Sequence, residues 1–431
     1  MSIDSRSLRV ALFASAAALA ASGCGGGGSS AAPSPSPPPA TANVAALAVD
    51  GGGPNLSGAI NQAYVTITVC VPRTTSCQTI DHVWVDTGST GLRLFSSVLT
   101  LALPDEQLSS TTVANCVQFV SMTYMWGAMR TADVKIAGES ASSVPIQVIG
   151  DSAVPSTAPA SCSTTNGTAD TAITSPTGPT GLGANGLLGI GVFQQDCGPG
   201  CASSPVPAYY YTCPGGTCQS VAMAQNQQLQ NVVGMFATDN NGTLIQLQAL
   251  PGGSLNTAAG SLIFGINTQS NNQLGNAVVF SVDPGIGANS RPGDIQTTTT
   301  YGDMTEPNSF IDSGSNLWFF NDPSIPACTG NSAFFCPTTS PLALQATMLP
   351  YNTPADATSF TYSFNVIDIS SNTTGAAFDN VAGPAGPCDP QRGCTFDWGL
   401  PFFYGRSVFT AIESSSAIGG HLPPFAAAST P

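Results

Sequence analysis

Two tetrapeptides, Asp86-Thr87-Gly88-Ser89 and Asp312-Ser313-Gly314-Ser315, constrain this 431-residue chain more than any other feature. Each follows an apolar run that reads as a strand end, Val83-Trp84-Val85 before the first and Ser309-Phe310-Ile311 before the second. A strand that ends on Asp and turns through a hydroxyl residue, Gly and Ser holds a short carboxylate on a tight loop. The Gly admits a second backbone where a Cβ would clash. The copies lie 226 residues apart with little identity around them, as expected of one loop in each of two similar halves. Brought together, two carboxylates cannot both ionise cheaply, so they share a proton and their pKa values separate. The ionised member can then take a proton from water, while the protonated one hydrogen-bonds a carbonyl oxygen as it becomes tetrahedral. Thr87 and Ser313 offer hydroxyls for bonds across the junction, and Ser89 and Ser315 can each bond the aspartate of their own half.

Composition favours a β scaffold for these loops. Hydrophobic residues make up 42% of the chain and charged residues 8%, while 46 Gly and 34 Pro supply turns, so many short strands are expected rather than long, salt-bridged helices. Ala63 to Val71 and Gln78 to Val85 read as strands joined by the turn Pro72-Arg73-Thr74-Thr75-Ser76, the second leading into Asp86. Turn-rich Asp239-Asn240-Asn241-Gly242 and Pro251-Gly252-Gly253 mark the join between an N-terminal lobe over 51–250 and a C-terminal lobe over 251–431. A net charge of −15, with Lys135 the single Lys, excludes the basic footprint that nucleic-acid binding needs.

Arg6 and Arg9 precede the apolar run Val10 to Ala20, which is too short to span a bilayer and passes through Ala21-Ser22-Gly23 to Cys24. This is the pattern of a signal peptide over 1–23. Ser-Gly-Cys resembles the lipobox of bacterial lipoproteins, with Cys24 the lipid-attachment residue and Ala21 where that motif prefers Leu. An ordinary signal peptide with an incidental Cys is the alternative. Residues 24–50 read as a Gly/Ser/Pro-rich tether. The expectation is a protein of the cell envelope on a lipid anchor, or a secreted one; Gly25 after the lipid Cys favours the outer membrane.

Export implies an oxidising compartment, and the twelve cysteines other than Cys24 make six disulfides the natural reading. Close pairs are Cys70/Cys77, Cys197/Cys201, Cys213/Cys218, Cys328/Cys336 and Cys388/Cys394, leaving Cys116/Cys162; nested pairing between Cys197 and Cys218 stays open. Zinc is disfavoured, because no Cys-x-x-Cys occurs and His82 and His421 are the only histidines. The same scarcity argues against a Ser-His-Asp or Cys-His mechanism. Gly178 to Gly191 is Gly-rich but lacks the Lys of a phosphate loop. No metal or cofactor is expected.

The two loops resemble those of the pepsin family of aspartic peptidases, and the resemblance extends over about residues 55 to 425. In that family each lobe sends a hydrophobic-hydrophobic-Gly segment through its Asp loop. Asn185-Gly186-Leu187-Leu188-Gly189-Ile190-Gly191 is similar to the first such segment. Trp398-Gly399-Leu400-Pro401-Phe402-Phe403, running on to a final strand over Ser407 to Ile412, is similar to the second. Gly260 to Gly265 resembles the strand that opens the second lobe. The resemblance implies an all-β, bilobal pepsin-like fold with a cleft between the lobes. Asp86 and Asp312 would be catalytic, with Thr87, Gly88, Ser89, Ser313, Gly314 and Ser315 in support. It also implies a monomeric endopeptidase acting on an extended peptide or protein without a cofactor.

The departures concern how substrate is held. Arg93 stands where the family has a Trp; it either lies near the cleft and holds an aspartate ionised or points into solvent. Tyr124 and Trp126, on the hairpin around Ser121 to Gly127, are the flap candidates, with Trp126 taking over part of the missing Trp's role. Pro401 departs too, no acidic residue adjoins Gly399, and the uncharged tether lacks a basic prosegment. Two other readings follow: a pepsin-like fold with weak or no catalysis acting as a surface binding or inhibitory lipoprotein, and a structural envelope lipoprotein.

Overall fold

The computed structural model describes residues 43–52, 56, 59–119, 121–165, 167–173, 181–285, 292–299, 305–352, 358–371, 374–386, 388, 393–413 and 416–429. The expected signal peptide and Cys24 lie outside these residues, as does the tether up to residue 42. Among the described residues, no helix is long and apolar enough to cross a membrane. The expected all-β, bilobal architecture is the one observed, with strands in both halves and helices of a single turn at Ala160–Ser163 and Pro199–Ser203.

A shared antiparallel sheet joins the halves. Val44–Val49 pairs with Ala258–Phe264, which pairs with Gly242–Leu247, and the order continues through Ser407–Ala411, Phe425–Ser429 and Val278–Ser281. Two expectations need correction here. Val44–Val49 belongs to the sheet rather than the tether: Ala45, Leu47 and Val49 point inward between outward Ala46 and Ala48, the two-residue alternation of a half-buried strand. Ser407–Ala411 is also not the last strand, because Phe425–Ser429 returns beside it, Val408 opposite Ala428. An alanine-rich segment has little β propensity of its own and is held by its neighbours on either side. Strands from both sides of residue 250 thus share one sheet.

Each half wraps its Asp loop around an inserted strand. In the first lobe Tyr64–Cys70 and Cys77–Asp86 form a hairpin whose second arm ends on Asp86. Gly186–Ile190 runs parallel to Val83–Asp86 and antiparallel to Thr90–Phe95, so it lies between the two arms of the Asp86 turn. In the second lobe Asp397–Trp398 does the same, parallel to Phe310 and Ile311 of Thr305–Ile311 and antiparallel to Trp318–Phe320. Gly399, next along, passes so close that a Cβ there would stand 2.1 Å from the Leu317 carbonyl oxygen and 2.7 Å from that of Ser315. The internal repeat is one of topology, which explains why little sequence identity accompanies it.

Aromatic packing surrounds the second of these turns. In the second lobe alternate residues of Phe360–Val366 form a ladder of near-parallel rings, Phe360, Tyr362 and Phe364, and Trp318 stacks on Phe364 at 4.6 Å. Trp398 meets Trp318, Phe396 and Phe402, and its indole donates to Thr297 Oγ1. Each such ring pair adds about 0.5–1.5 kcal/mol beyond area burial, so the strand bearing Asp397 is firmly seated.

The six disulfides join the five closely spaced pairs and the remaining one: Cys70–Cys77, Cys197–Cys201, Cys213–Cys218, Cys328–Cys336 and Cys388–Cys394, with Cys116–Cys162. Cys197–Cys201 and Cys213–Cys218 therefore close locally rather than nesting. Cys388–Cys394 ties down the chain just before the strand that carries Asp397. From there the Cys394 carbonyl accepts the Asn308 amide of the strand leading to Asp312.

Candidate active site

Asp86 and Asp312 come together at the junction of the lobes. Both are completely buried, and their carboxyl groups hydrogen-bond one another. Each loop treats its aspartate alike. The Gly88 amide donates to Asp86 Oδ1 at 2.8 Å and the Gly314 amide to Asp312 Oδ1 at 2.7 Å. The Ser89 hydroxyl bonds Asp86 Oδ2, and that of Ser315 bonds Asp312 Oδ2 at 2.9 Å. Gly314 admits the pair, since a Cβ on it would lie 2.5 Å from Asp86 Oδ1 and 3.0 Å from Asp312 Oδ1.

Reciprocal bonds lock the loops across the junction. The Thr87 amide donates to Ser313 Oγ at 3.1 Å, and the Ser313 amide donates to Thr87 Oγ1 at 2.9 Å. The Thr87 hydroxyl then donates to the Ile311 carbonyl and the Ser313 hydroxyl to that of Val85, each reaching the opposite strand. Two further ties were not anticipated. The buried Trp84 indole donates to the Ser313 carbonyl at 3.3 Å. Asn61 donates to the carbonyls of Asn316 and Phe378 and accepts from the Phe378 amide and the Tyr404 hydroxyl. An Asn before a strand carries no sequence signal for such a knot; Trp84 was visible only as an apolar residue of the strand end.

The surroundings make the pair unequal. Burial drives the Asp86 carboxyl up to about 6, against the pull of Ser89, Asp312, the Gly88 amide and Arg93. Burial likewise drives Asp312 well above the carboxylate range, and the negative charges of Asp86 and Asp397 push it further. Like charge beside Asp312 and a cation behind Asp86 act in one direction, favouring the proton on Asp312 and the negative charge on Asp86.

Asp397 was overlooked in the sequence. It stands two residues before Gly399, fully buried, with its Oδ2 2.6 Å from the Ser315 hydroxyl. A lone acidic residue inside Phe396-Asp397-Trp398 was the available signal. The family pattern directs attention beside the Gly, and here the third carboxylate arrives from the preceding turn of strand.

Arg93 does not point into solvent. Its guanidinium is buried, donating to Asn115 Oδ1 at 2.6 Å and Gln147 Oε1 at 2.8 Å, and Nη2 lies 3.8 Å from Asp196, which also takes the Tyr210 hydroxyl. Trp126 and Tyr124 are not brought into this constellation. Trp126 is buried, donates to the Pro155 carbonyl and meets Tyr211 edge-on. It packs with Cys116 and Cys162, and Tyr124 rests against the same cluster. His82 sits between Asp50 and Asp81. Cys328, Cys336 and Asp368 lie close together, but both sulfurs are in a disulfide and offer no thiolate to a metal. Cys394 stands only three residues before Asp397, yet its sulfur is bonded to that of Cys388 and supplies no nucleophile or ligand to the aspartates. A cavity of about 650 Å³ opens elsewhere, beside Asn240, Thr268 and Glu413.

Fold and geometry together describe a two-lobed β protein that brings two buried aspartates together from two equivalent turns. The chain belongs to the family described as Protein of unknown function (DUF3443), whose model matches residues 39–427. Among solved structures it is similar to the aspartic proteinase from Irpex lacteus, at 14% identity and a TM-score of 0.47, over 90% of this chain and 96% of that one. No curated protein sequence matches it.

Proposed function

We propose that the protein is an aspartic endopeptidase in which Asp86 and Asp312 activate a water for attack on the carbonyl of an extended peptide. The observation that carries this reading is the hydrogen-bonded aspartate pair, given equivalent amide and hydroxyl partners by two topologically equivalent loops. Asp86, the first to ionise, takes the water proton; Asp312 donates to the carbonyl oxygen as charge develops there. Thr87 and Ser313 keep the two carboxyls in register, and no cofactor enters. The protein works as an exported monomer, lipid-anchored through Cys24 on the outer membrane.

With the Asp86 carboxyl raised to about 6, the one-proton state spans mildly acidic to near-neutral pH. The test is pepstatin-sensitive cleavage of a denatured protein mixture between about pH 3 and 8, where a raised carboxylate pair can hold one proton. Cleavage near pH 6 that disappears in Asp86→Asn and Asp312→Asn is expected. A folded wild type that cleaves nothing over that range sinks the proposal.

One observation favours the second reading, a surface binding or inhibitory lipoprotein of weak or no activity: neither carboxyl has any exposed surface. Substrate must then open the junction before a water activated there can attack its carbonyl. Saturable peptide binding by wild type, unchanged in Asp86→Asn and without cleavage, would select this reading.

A further inference from the structure

Ser315 poses a counting problem. Its hydroxyl carries one proton and two lone pairs, yet its oxygen lies 2.9 Å from Asp312 Oδ2 and 2.6 Å from Asp397 Oδ2. One contact uses the serine proton. The other, between two oxygens, needs a proton from a carboxyl group. The contact between Asp86 and Asp312 needs another. Three buried carboxyls joined in this way are satisfied by two protons and one negative charge.

We infer that Asp397 is a positioning residue of the aspartate pair, linked to it through Ser315 so that the three carboxyls titrate as one unit and Asp312 retains its proton to higher pH. The inference deepens the peptidase reading and rests on it for its meaning in catalysis, though the titration itself does not require turnover. Geometry supports the inference on several sides. Asp397 is fully buried on the strand inserted between Thr305–Ile311 and Trp318–Phe320, and the ring cluster around Trp398 and Phe396 gives it little room to turn away. The charged groups set against Asp312 are Asp86 and Asp397; behind Asp86 stands Arg93, paired with Asp196. On the strand leading to Asp312, Glu306 is buried and pushed up to about 8, so near pH 6 it is neutral. The sign is thus set by Asp397: an added negative charge next to Asp312 delays loss of its proton.

The experiment follows the aspartate carboxyl carbons by NMR from pH 3 to 10 in full-length protein with ¹³C-labelled Asp, in wild type and in Asp397→Asn. The asparagine keeps a polar partner for Ser315 but cannot ionise. In wild type the Asp312 signal is expected to titrate in two steps, one coinciding with a step of Asp397. In Asp397→Asn its last step should fall by about one pH unit, a like-charge effect at this range. If wild type cleaves peptide, the alkaline limb of kcat/KM should move by the same amount with KM unchanged. A single-step Asp312 curve in wild type, which needs no variant to fold, overturns the inference. So does an unmoved midpoint in a folded Asp397→Asn. A shifted NMR midpoint in a protein that cleaves nothing would instead remove the peptidase reading and leave the three-carboxyl unit standing.

Discussion

Replacing Ser313 with Ala tests the cross-lobe lock without reference to activity. The Ser313 hydroxyl accepts the Thr87 amide at 3.1 Å and donates to the Val85 carbonyl at 2.9 Å, both buried. Removing it leaves the Thr87 N–H without that acceptor, at about 1–3 kcal/mol, and forfeits a second bond whose net value is about 0.5–1.5 kcal/mol. Ser to Ala leaves almost no cavity, so the expected loss is about 2–4 kcal/mol. Guanidinium denaturation under non-reducing conditions measures it, because the midpoint falls while the slope stays the same. Thr347→Ala is the control; its hydroxyl pairs with that of Thr361 on an exposed face, and it should cost less than about 0.5 kcal/mol. Thr87→Val removes the reciprocal half, an acceptor for the Ser313 amide and a donor to Ile311. Since both side chains serve one network, the double variant should depart from additivity by about 0.5–3 kcal/mol. A loss below about 1 kcal/mol for Ser313→Ala, or strict additivity with Thr87→Val, would refute the view that these hydroxyls hold the lobes in register.

Glu306 predicts a pH dependence of stability. Burial pushes its carboxyl up to about 8 from an ordinary 4.5, so between those values the folded chain binds the proton more tightly than the unfolded one. The stability this confers is complete below about pH 4 and is lost as pH rises through about 8. Glu306→Gln should therefore match wild type near pH 4 and exceed it by up to ~5 kcal/mol at pH 9; parallel stability curves for the two proteins would contradict this. The disulfides should rank by loop length. Replacing Cys116 and Cys162, which close a separation of 46 residues, should cost about 4 kcal/mol, and replacing Cys197 and Cys201, a separation of 4, about 2 kcal/mol. Equal losses in denaturant titrations would show that chain entropy is not what separates them.

Much of this protein was legible in its residues because the informative features are local. Asp-Thr-Gly-Ser and Asp-Ser-Gly-Ser state the turn, its carboxylate and its hydrogen-bond partners within four residues. The alternation in Tyr64–Cys70 and Cys77–Asp86 states a hairpin, and close spacing makes Cys70–Cys77 and Cys388–Cys394 the natural pairs, which the structure joins. Other features stay open in the sequence where identity and environment part company. Arg93 reads equally as a cation near the cleft or one in solvent until Asn115, Gln147 and Asp196 are folded around it. Trp126 reads as a flap residue, although a strand sends alternate side chains to opposite faces and its face is the one covered by Cys162 and Tyr211.

By itself, then, the sequence determined two aspartate turns, a β scaffold for each and the close spacing of most of its cysteines, since each depends on residues near one another in the chain. Only the tertiary structure decided that the carboxyls meet in full burial, that Thr87 and Ser313 exchange bonds over a separation of 226 residues, and that Asp397 joins them through Ser315. Those relations arise between strands far apart in sequence. The energies that matter there, desolvation and like-charge repulsion, depend on distance and burial, which no local pattern of residues records.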